Sequence, residues 1–393
     1  MPKTAVKFAS LKAILSWFLF NIQPNSVTAQ DPTSGARVVP ASKEWMGDFA
    51  NEDLGCTGPS EDTYIWREAG YGSNINFLMV AWANAIAEGR RDLSVVVNTE
   101  DFFSRTTCAV ASNGLETGVG WSCIFAPMPH LCAFDTLEDV TSFNQRKGLS
   151  QAVVRQARRR QSIPFLQSRA AKMAKARDRS GVETMEIFAN LYEYLLSNLQ
   201  PWCKADVQAI LDEPEIAALR RGKYVSMHIR RTDKISIDQA EFTTTETYFE
   251  NVAKYLQSTG GGLSAADITG LWLSTDKKPQ LMRWVRNLVP NYFPNIKPEA
   301  VMCISGRVQV RPLVRGPTMK DGDTDRNTYE ARVLLLAEMS LLAGAEFFSG
   351  TLSSNLGRVI ALMRYSLGKP KESVLSGDAP HAWQPARQRR LRH

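Results

Sequence analysis

From Thr63 onward, short apolar runs alternate with longer stretches in which apolar positions recur every three or four residues. A period of two marks strands, and the three-to-four spacing marks amphipathic helices. Tyr64-Ile65-Trp66 opens the series, followed by Gly70-Tyr71-Gly72-Ser73, a helix carrying Ile75, Leu78, Met79, Trp82 and Ile86, and a strand from Leu93 to Val97. A helical pattern through Met185 to Leu199 stops at Pro201 and resumes to about Leu211, as expected of a residue that interrupts a helix interior but begins one well. Beyond it the pattern predicts strands at Tyr224 to Ile229, Leu271 to Ser274 and Glu346 to Ser349. Helices are predicted near Thr247 to Leu256, Pro279 to Leu288, Tyr329 to Leu342 and Asn355 to Tyr365. Strands separated by helices in this way predict an α/β protein with mainly parallel strands.

A chain of 393 residues has room for two or three domains. Two α/β halves fit the order of elements, with boundaries at 61–215 and 216–370. They follow a leader at 1–29 and a polar linker at 30–60, and precede a basic tail at 371–393. No internal repeat is visible.

Hydrophobic residues at 44% and charged residues at 22% exclude long disorder and collagen-like repeats. The net charge of +7 is local in origin. Residues 155–179 carry many arginines and lysines against one acid, Asp178, and Arg387, Arg389, Arg390 and Arg392 crowd the tail. No aromatic pattern is interleaved with these cations, so nucleic acid is not the expected partner.

Lys3, Lys7 and Lys12 precede the apolar run Ala13 to Ile22, and Val27-Thr28-Ala29 offers small residues for cleavage. That is the plan of a secretory signal, and the run falls short of the roughly 20 residues a spanning helix needs. The chain is expected in the secretory pathway, in the Golgi lumen or secreted, and tied to a membrane only if the leader stays on as a weak anchor. Cys56, Cys108, Cys123, Cys132, Cys203 and Cys303 would then meet an oxidising lumen, where as many as three disulfides can form. The four histidines show no metal spacing, and no resident metal or cofactor is expected. Asp321-Gly322-Asp323-Thr324-Asp325 lacks the glycine and glutamate of a calcium loop, with Arg326 and Arg332 standing there. It reads as an acidic turn before a helix, with a carboxylate pair of the kind some transferases use as the other reading.

In open parallel sheets ligands sit beyond the carboxyl ends of the strands. The strand Tyr224 to Ile229 turns Val225, Met227 and Ile229 to one face and Ser226, His228 and Arg230 to the other, then ends in Arg230-Arg231-Thr232-Asp233-Lys234. A guanidinium there can grip phosphate oxygens through two parallel hydrogen bonds and offset charge on a departing diphosphate, where the plainer reading is a surface turn. Glu338 has Leu334, Leu335, Leu341 and Leu342 as its neighbours three and four residues away, so a carboxylate projects from an apolar stripe. It needs a partner there. Guanine, with two adjacent donors, is one; a core arginine, Arg332 or Arg358, is the other. Ser349 to Arg358 runs from a strand end into a helix through small and hydroxyl residues, Thr351, Ser353 and Ser354 among them, which suits an anion at a helix N-terminus as well as ordinary capping. Gly70-Tyr71-Gly72 lacks the third glycine and the acidic residue of a dinucleotide fingerprint. Asp276, after Leu271 to Thr275, stands at another strand end, where it can meet a sugar or cap a helix.

His228-Ile229-Arg230-Arg231-Thr232-Asp233-Lys234 resembles the H-x-R-R-T-D-K motif of the α1,6-fucosyltransferases, the family of the N-glycan core enzyme and of bacterial nodulation enzymes. Gly70-Tyr71-Gly72, Leu199-Gln200-Pro201-Trp202, Leu273-Ser274-Thr275-Asp276 and Glu346 through Ser354 to Arg358 follow the family's order, so the resemblance spans about residues 60–365. It implies two facing Rossmann-like domains of the GT-B type, GDP-fucose bound mostly by the second, inversion at the sugar carbon and no metal. It further implies that Gly70 and Gly72 approach the nucleotide, that His228 and Glu338 hold guanine, that Arg230 holds the β-phosphate, and that Ser353, Ser354 and Asn355 hold the diphosphate. Asp233, Lys234 and Asp276 would belong to the reaction centre, and the family's general-base glutamate falls on Asp238, with Glu241 nearby. The family has aspartates where Glu338 and Lys277 stand and a glutamine where Asn355 stands. The expected activity is transfer of L-fucose from GDP-fucose to a glycan or glycoprotein hydroxyl, with α1,6 transfer to N-acetylglucosamine as the expected linkage. A silent relative that only binds GDP or glycan, or a transferase of another GDP-sugar, is the alternative.

Overall fold

The computed structural model describes residues 63–65, 72–82, 93–96, 107–109, 117–142, 184–230, 243–258, 263–275, 278–303 and 329–377, apart from Ser353 and scattered positions within 72–82 and 117–142. In chain order the elements of the first half are β1 (Thr63–Ile65), a helical segment within 72–82, β2 (Leu93–Val96), β3 (Thr107–Ala109), β4 (Thr117–Val119), the short helix α1 (Trp121–Ile124) and β5 (Leu131–Phe134). Helices α2 (Thr184–Ser197), α3 (Pro201–Leu211) and α4 (Pro214–Arg221) follow. The rest comprises β6 (Tyr224–Ile229), α5 (Thr245–Ser258), β7 (Gly270–Thr275), α6 (Lys278–Tyr292), β8 (Val301–Met302), α7 (Tyr329–Gly344), β9 (Phe347–Gly350), α8 (Asn355–Ser366) and β10 (Val374–Ser376).

The α/β character expected from the pattern is present as two parallel sheets. One has the order β1-β2-β5 and the other β10-β9-β6-β7-β8, while β3 and β4 form a separate antiparallel pair. The alternation along β6 decides how the larger sheet is covered. Val225, Met227 and Ile229 pack with Leu271, Leu273 and Phe347 into a core shared with Phe249 and Val252 of α5 and Val285 and Val289 of α6. Tyr224, Trp272 and Phe348, on the opposite face, join a second core with α7 and α8. That second core is continuous with Ile75, Leu78 and Trp82, with β2 and β5, and with α2 and α3.

Three boundaries differ from expectation. The division at 215 falls inside α4. The tail expected from residue 371 contains β10, which pairs with β9, so the larger sheet takes its edge strand from residues past 370. Helix α6 runs through Pro290 to Tyr292 instead of stopping at Leu288. A proline in the last turn removes a single hydrogen bond, and the amide of Phe293 still reaches the Val289 carbonyl at 2.8 Å. As for cysteines, Cys203 and Cys303 are buried thiols, whereas Cys123 and Cys132 are disulfide-bonded. With two thiols free, the upper limit of three bridges set by the cysteine count falls to two. Among the described residues no helix is long and apolar enough to cross a membrane.

Candidate functional site

In the larger sheet the strand order, read from β8, is third, second, first, fourth, fifth in chain sequence. The order reverses between β6 and β9, and the crevice at such a reversal, beyond the carboxyl ends, is where open α/β sheets bind ligands. The H-x-R-R motif begins on β6 and the small-residue turn follows β9, so two of the sequence signals meet at that one crevice. Thr351, 2% exposed, joins the two strand ends. Its amide donates to the His228 carbonyl at 3.0 Å, its hydroxyl donates to the same carbonyl at 3.1 Å, and the Arg230 amide donates to its Oγ1 at 3.1 Å.

His228, 3% exposed, lies between Ser274 of β7 and Gly350 of β9 in the sheet register. Helix α7 covers its face of the sheet. Tyr224 Oη donates to the Leu341 carbonyl and Ser226 Oγ to the Leu342 carbonyl, both at 2.8 Å. The helix descends from the carboxyl edge into β9, antiparallel to β6. Glu338, partly buried, lies three and four residues before Leu341 and Leu342 and so on the same helix face.

Both ends of α7 are anchored. At its start the Tyr329 hydroxyl donates to Asp206 Oδ2 at 2.6 Å, and burial pushes the phenol well above its usual range. At its end Arg364, fully buried, donates to the carbonyls of Ala343, Ala345 and Glu346 and to Ser373 Oγ, at 2.9, 2.6, 2.8 and 2.7 Å. A cation suits the negative end of a helix. Burial pulls the guanidinium down to about 10, so it stays charged at neutral pH.

Across from Arg230 stands the N-terminus of α8. Ser354, 3% exposed, holds the N-cap position without a side-chain capping bond. The capping reading therefore does not account for its hydroxyl. Gly357 is required for the turn, since a Cβ there would meet the Thr351 carbonyl oxygen. The first half closes on the same point: a Cβ on Gly72 would lie 2.8 Å from the Leu356 amide nitrogen and 2.9 Å from its Cα. Only a glycine lets the backbone come that near. Beside it Asn76 Nδ2 donates to Asn355 Oδ1 at 3.0 Å, and Arg358 donates to the same oxygen at 3.4 Å and to the Leu352 carbonyl at 2.9 Å. Asn355, expected to hold a diphosphate, thus turns its amide oxygen to a residue of the first half.

The structure brings together Gly72, His228, Arg230, Ser354 and Asn355, while Glu338 lies on the helix that covers the His228 face of the sheet. Gly70, Asp233, Lys234, Asp238, Asp276 and Ser353 lie outside the described residues, as do the 321–325 turn and the leader. Among the described residues no group of three or more His, Cys, Asp or Glu is placed to hold a metal. Sequence reasoning singled out neither Asn76 nor the hub role of Thr351. The spacing of Asn76 four residues after Gly72, one helical turn, was the available signal for the first.

No protein family and no curated protein matches the sequence. Among solved structures, the fold is similar to fucosyltransferase NodZ from Bradyrhizobium, at 16% identity and a TM-score of 0.41 over 77% of this chain and 93% of that one. It is similar to POFUT1 in complex with GDP-fucose, at 10% identity and a TM-score of 0.41 over 80% and 97%. It is also similar to a point mutant of FUT1 of Arabidopsis thaliana in complex with GDP, at 12% identity and a TM-score of 0.43 over 82% and 73%. Likeness at this level assigns no activity, which has to be argued from the site.

Proposed function

We propose that the protein is an inverting, GDP-fucose-dependent fucosyltransferase acting on a glycan or glycoprotein hydroxyl, with α1,6 transfer to N-acetylglucosamine as the linkage. The observation that carries the reading is the meeting, at the reversal of a parallel sheet, of the His228-to-Arg230 strand end and the α8 N-terminus through Thr351. Glu338, on the helix that covers the His228 face of the sheet, is the carboxylate assigned to guanine, whose ring NH and exocyclic amine present two donors side by side. A guanidinium opposite a helix N-terminus suits the diphosphate.

In the reaction, the acceptor oxygen attacks the anomeric carbon as the bond from that carbon to the β-phosphate oxygen breaks. GDP leaves with the bonding pair, and the configuration inverts. The acceptor proton passes to a carboxylate, for which Asp238 is the candidate, with Glu241 nearby in sequence. Asp233, Lys234 and Asp276 are assigned to the same centre on their motif alone. Arg230 offsets charge that grows on the diphosphate as it departs, which is where a fixed cation accelerates a reaction. Arg230, Lys234 and the helix N-terminus supply positive charge of the kind a divalent ion would bring, so activity is expected to persist in EDTA. The pattern of the leader supports action in the secretory pathway, in the Golgi lumen or after secretion.

Two measurements test the reading. Incubation with GDP-fucose and an array of glycan acceptors in EDTA is expected to release GDP, and no release with any acceptor sinks the transferase reading. Calorimetry is expected to show GDP binding at least about tenfold more tightly than ADP or UDP, a preference of about 1.4 kcal/mol that Glu338→Gln removes. Equal affinities in the unaltered protein would assign Glu338 to an ion pair instead.

A further inference from the structure

The Thr351 hydroxyl has one proton and two acceptor positions. Its proton goes to the His228 carbonyl at 3.1 Å and one acceptor position takes the Arg230 amide at 3.1 Å. The remaining contact of Oγ1 is Tyr248 Oη at 2.8 Å, and with the threonine proton committed, the tyrosine is the donor. Tyr248, 1% exposed, belongs to α5, which packs on the face of the sheet opposite α7. Its ring rests on Gly377, where any Cβ would strike it, and the Gly377 amide donates to the Gly350 carbonyl at 2.8 Å. One turn along α5, Asn251 Nδ2 donates to the Ser376 carbonyl at 2.8 Å. A buried side chain from one layer therefore ends a three-member relay that reaches the backbone amide of Arg230 in the crevice.

We infer that Tyr248 and Thr351 are positioning residues that aim Arg230, rather than parts of the core alone. This rests on the reading of Arg230 as the group that meets departing diphosphate. After Ile229 the chain leaves the ladder, and the Thr351 hydroxyl, where a strand partner would otherwise stand, accepts the amide of the first residue beyond it. The direction in which Arg230 leaves the sheet is set at that amide. A group that acts on charge appearing only in the transition state loses its effect when displaced by about an ångström, while ground-state binding of the nucleotide, spread over many contacts, changes little.

The test measures kcat and KM for GDP-fucose, together with hydrogen exchange at the Arg230 amide, in the full chain and in the variants Thr351→Val, Thr351→Ser and Tyr248→Phe. Thr351→Val is expected to lower kcat by about tenfold or more with KM within about threefold, and to speed exchange at Arg230 by about tenfold or more. Thr351→Ser, which keeps the hydroxyl, is expected to restore both, and Tyr248→Phe to fall between. A merely structural role would lower the unfolding temperature and leave kcat per folded molecule and local exchange unchanged. Unchanged exchange at Arg230 in Thr351→Val, or kcat within about twofold of the unaltered protein, overturns the inference. If the unaltered chain turns over no GDP-fucose, the transferase reading falls, and exchange at Arg230 alone decides the positioning. If Thr351→Val does not fold, Tyr248→Phe decides by the same two readouts.

Discussion

Arg230 and Arg364 show how differently one residue type behaves in two settings. Arg230 is partly buried at a strand end, where the proposed function has it meet the diphosphate. Its replacement by lysine keeps the charge and loses the planar fork. Arg230→Lys is therefore expected to lower kcat by at least about a hundredfold, about 2.7 kcal/mol of transition-state stabilisation, with little change in unfolding midpoint. Turnover within about tenfold of the unaltered protein would remove Arg230 from the reaction. Arg364 is fully buried and donates to three carbonyls and a hydroxyl. Arg364→Met would strand those acceptors, each costing about 1–3 kcal/mol, so urea unfolding is expected to show a loss of at least about 3 kcal/mol. A loss below about 1 kcal/mol would mean that water satisfies the carbonyls and that the residue does not hold the end of α7. The type and spacing of Arg230 were legible in the sequence as part of a dense cationic strand end. Arg364 carried no such signal, because one basic residue on an apolar helix reads as a surface position until the helix is seen to be enclosed.

Among the elements, α7 and α8 do most to shape the crevice, and both depend on contacts far away in sequence. Helix α7, which carries Glu338, has its ends tied to Asp206 and Arg364. Helix α8 begins where the first half leaves it room, at Gly72. Gly72→Ala would put a methyl group within 2.9 Å of the Leu356 backbone, and backbone cannot rotate aside as a side chain can. The expected result is a destabilisation of about 1–3 kcal/mol together with weaker GDP binding, read by thermal unfolding and calorimetry. No change in either would show that the first half does not bear on the α8 N-terminus. Most long elements were readable from the pattern. The strand Tyr224–Ile229 came out at its observed limits because one face is strictly apolar and the other carries Ser226 and His228. The strands β8 and β10, of two and three residues, were not readable. Runs that short have too few positions to display a period, and only pairing with a neighbour makes them strands.

For the molecule as a whole, the edge strand past residue 370 has the largest structural consequence. β10 pairs with β9, Ser373 accepts from Arg364, Asn251 donates to Ser376, and Gly377 supports Tyr248. A chain ended at Pro370 loses all four at once. It is expected to unfold at markedly lower urea concentration and to bind GDP weakly or not at all, because the removed residues buttress the turn that holds Thr351. Unchanged stability in that truncation would return the residues after 370 to the tail expected from their composition.

What the sequence determined by itself is local chemistry and period: the alternation of strand and helix, the cationic strand end at Arg230, the small-residue turn before α8, and the carboxylate on an apolar helix stripe. These are properties of residues close together along the chain, where backbone geometry alone relates one side chain to the next. Only the tertiary structure decided which strands are neighbours, and hence that the reversal of order falls between β6 and β9. It alone brought Asn76 to Asn355, laid the helix of Glu338 over the face of β6 that carries Ser226 and His228, and linked Tyr248 through Thr351 to the Arg230 amide. Those relations join residues from different layers, and they arise because the two faces of one sheet bury against different sets of helices, a choice made by packing and not by any local preference.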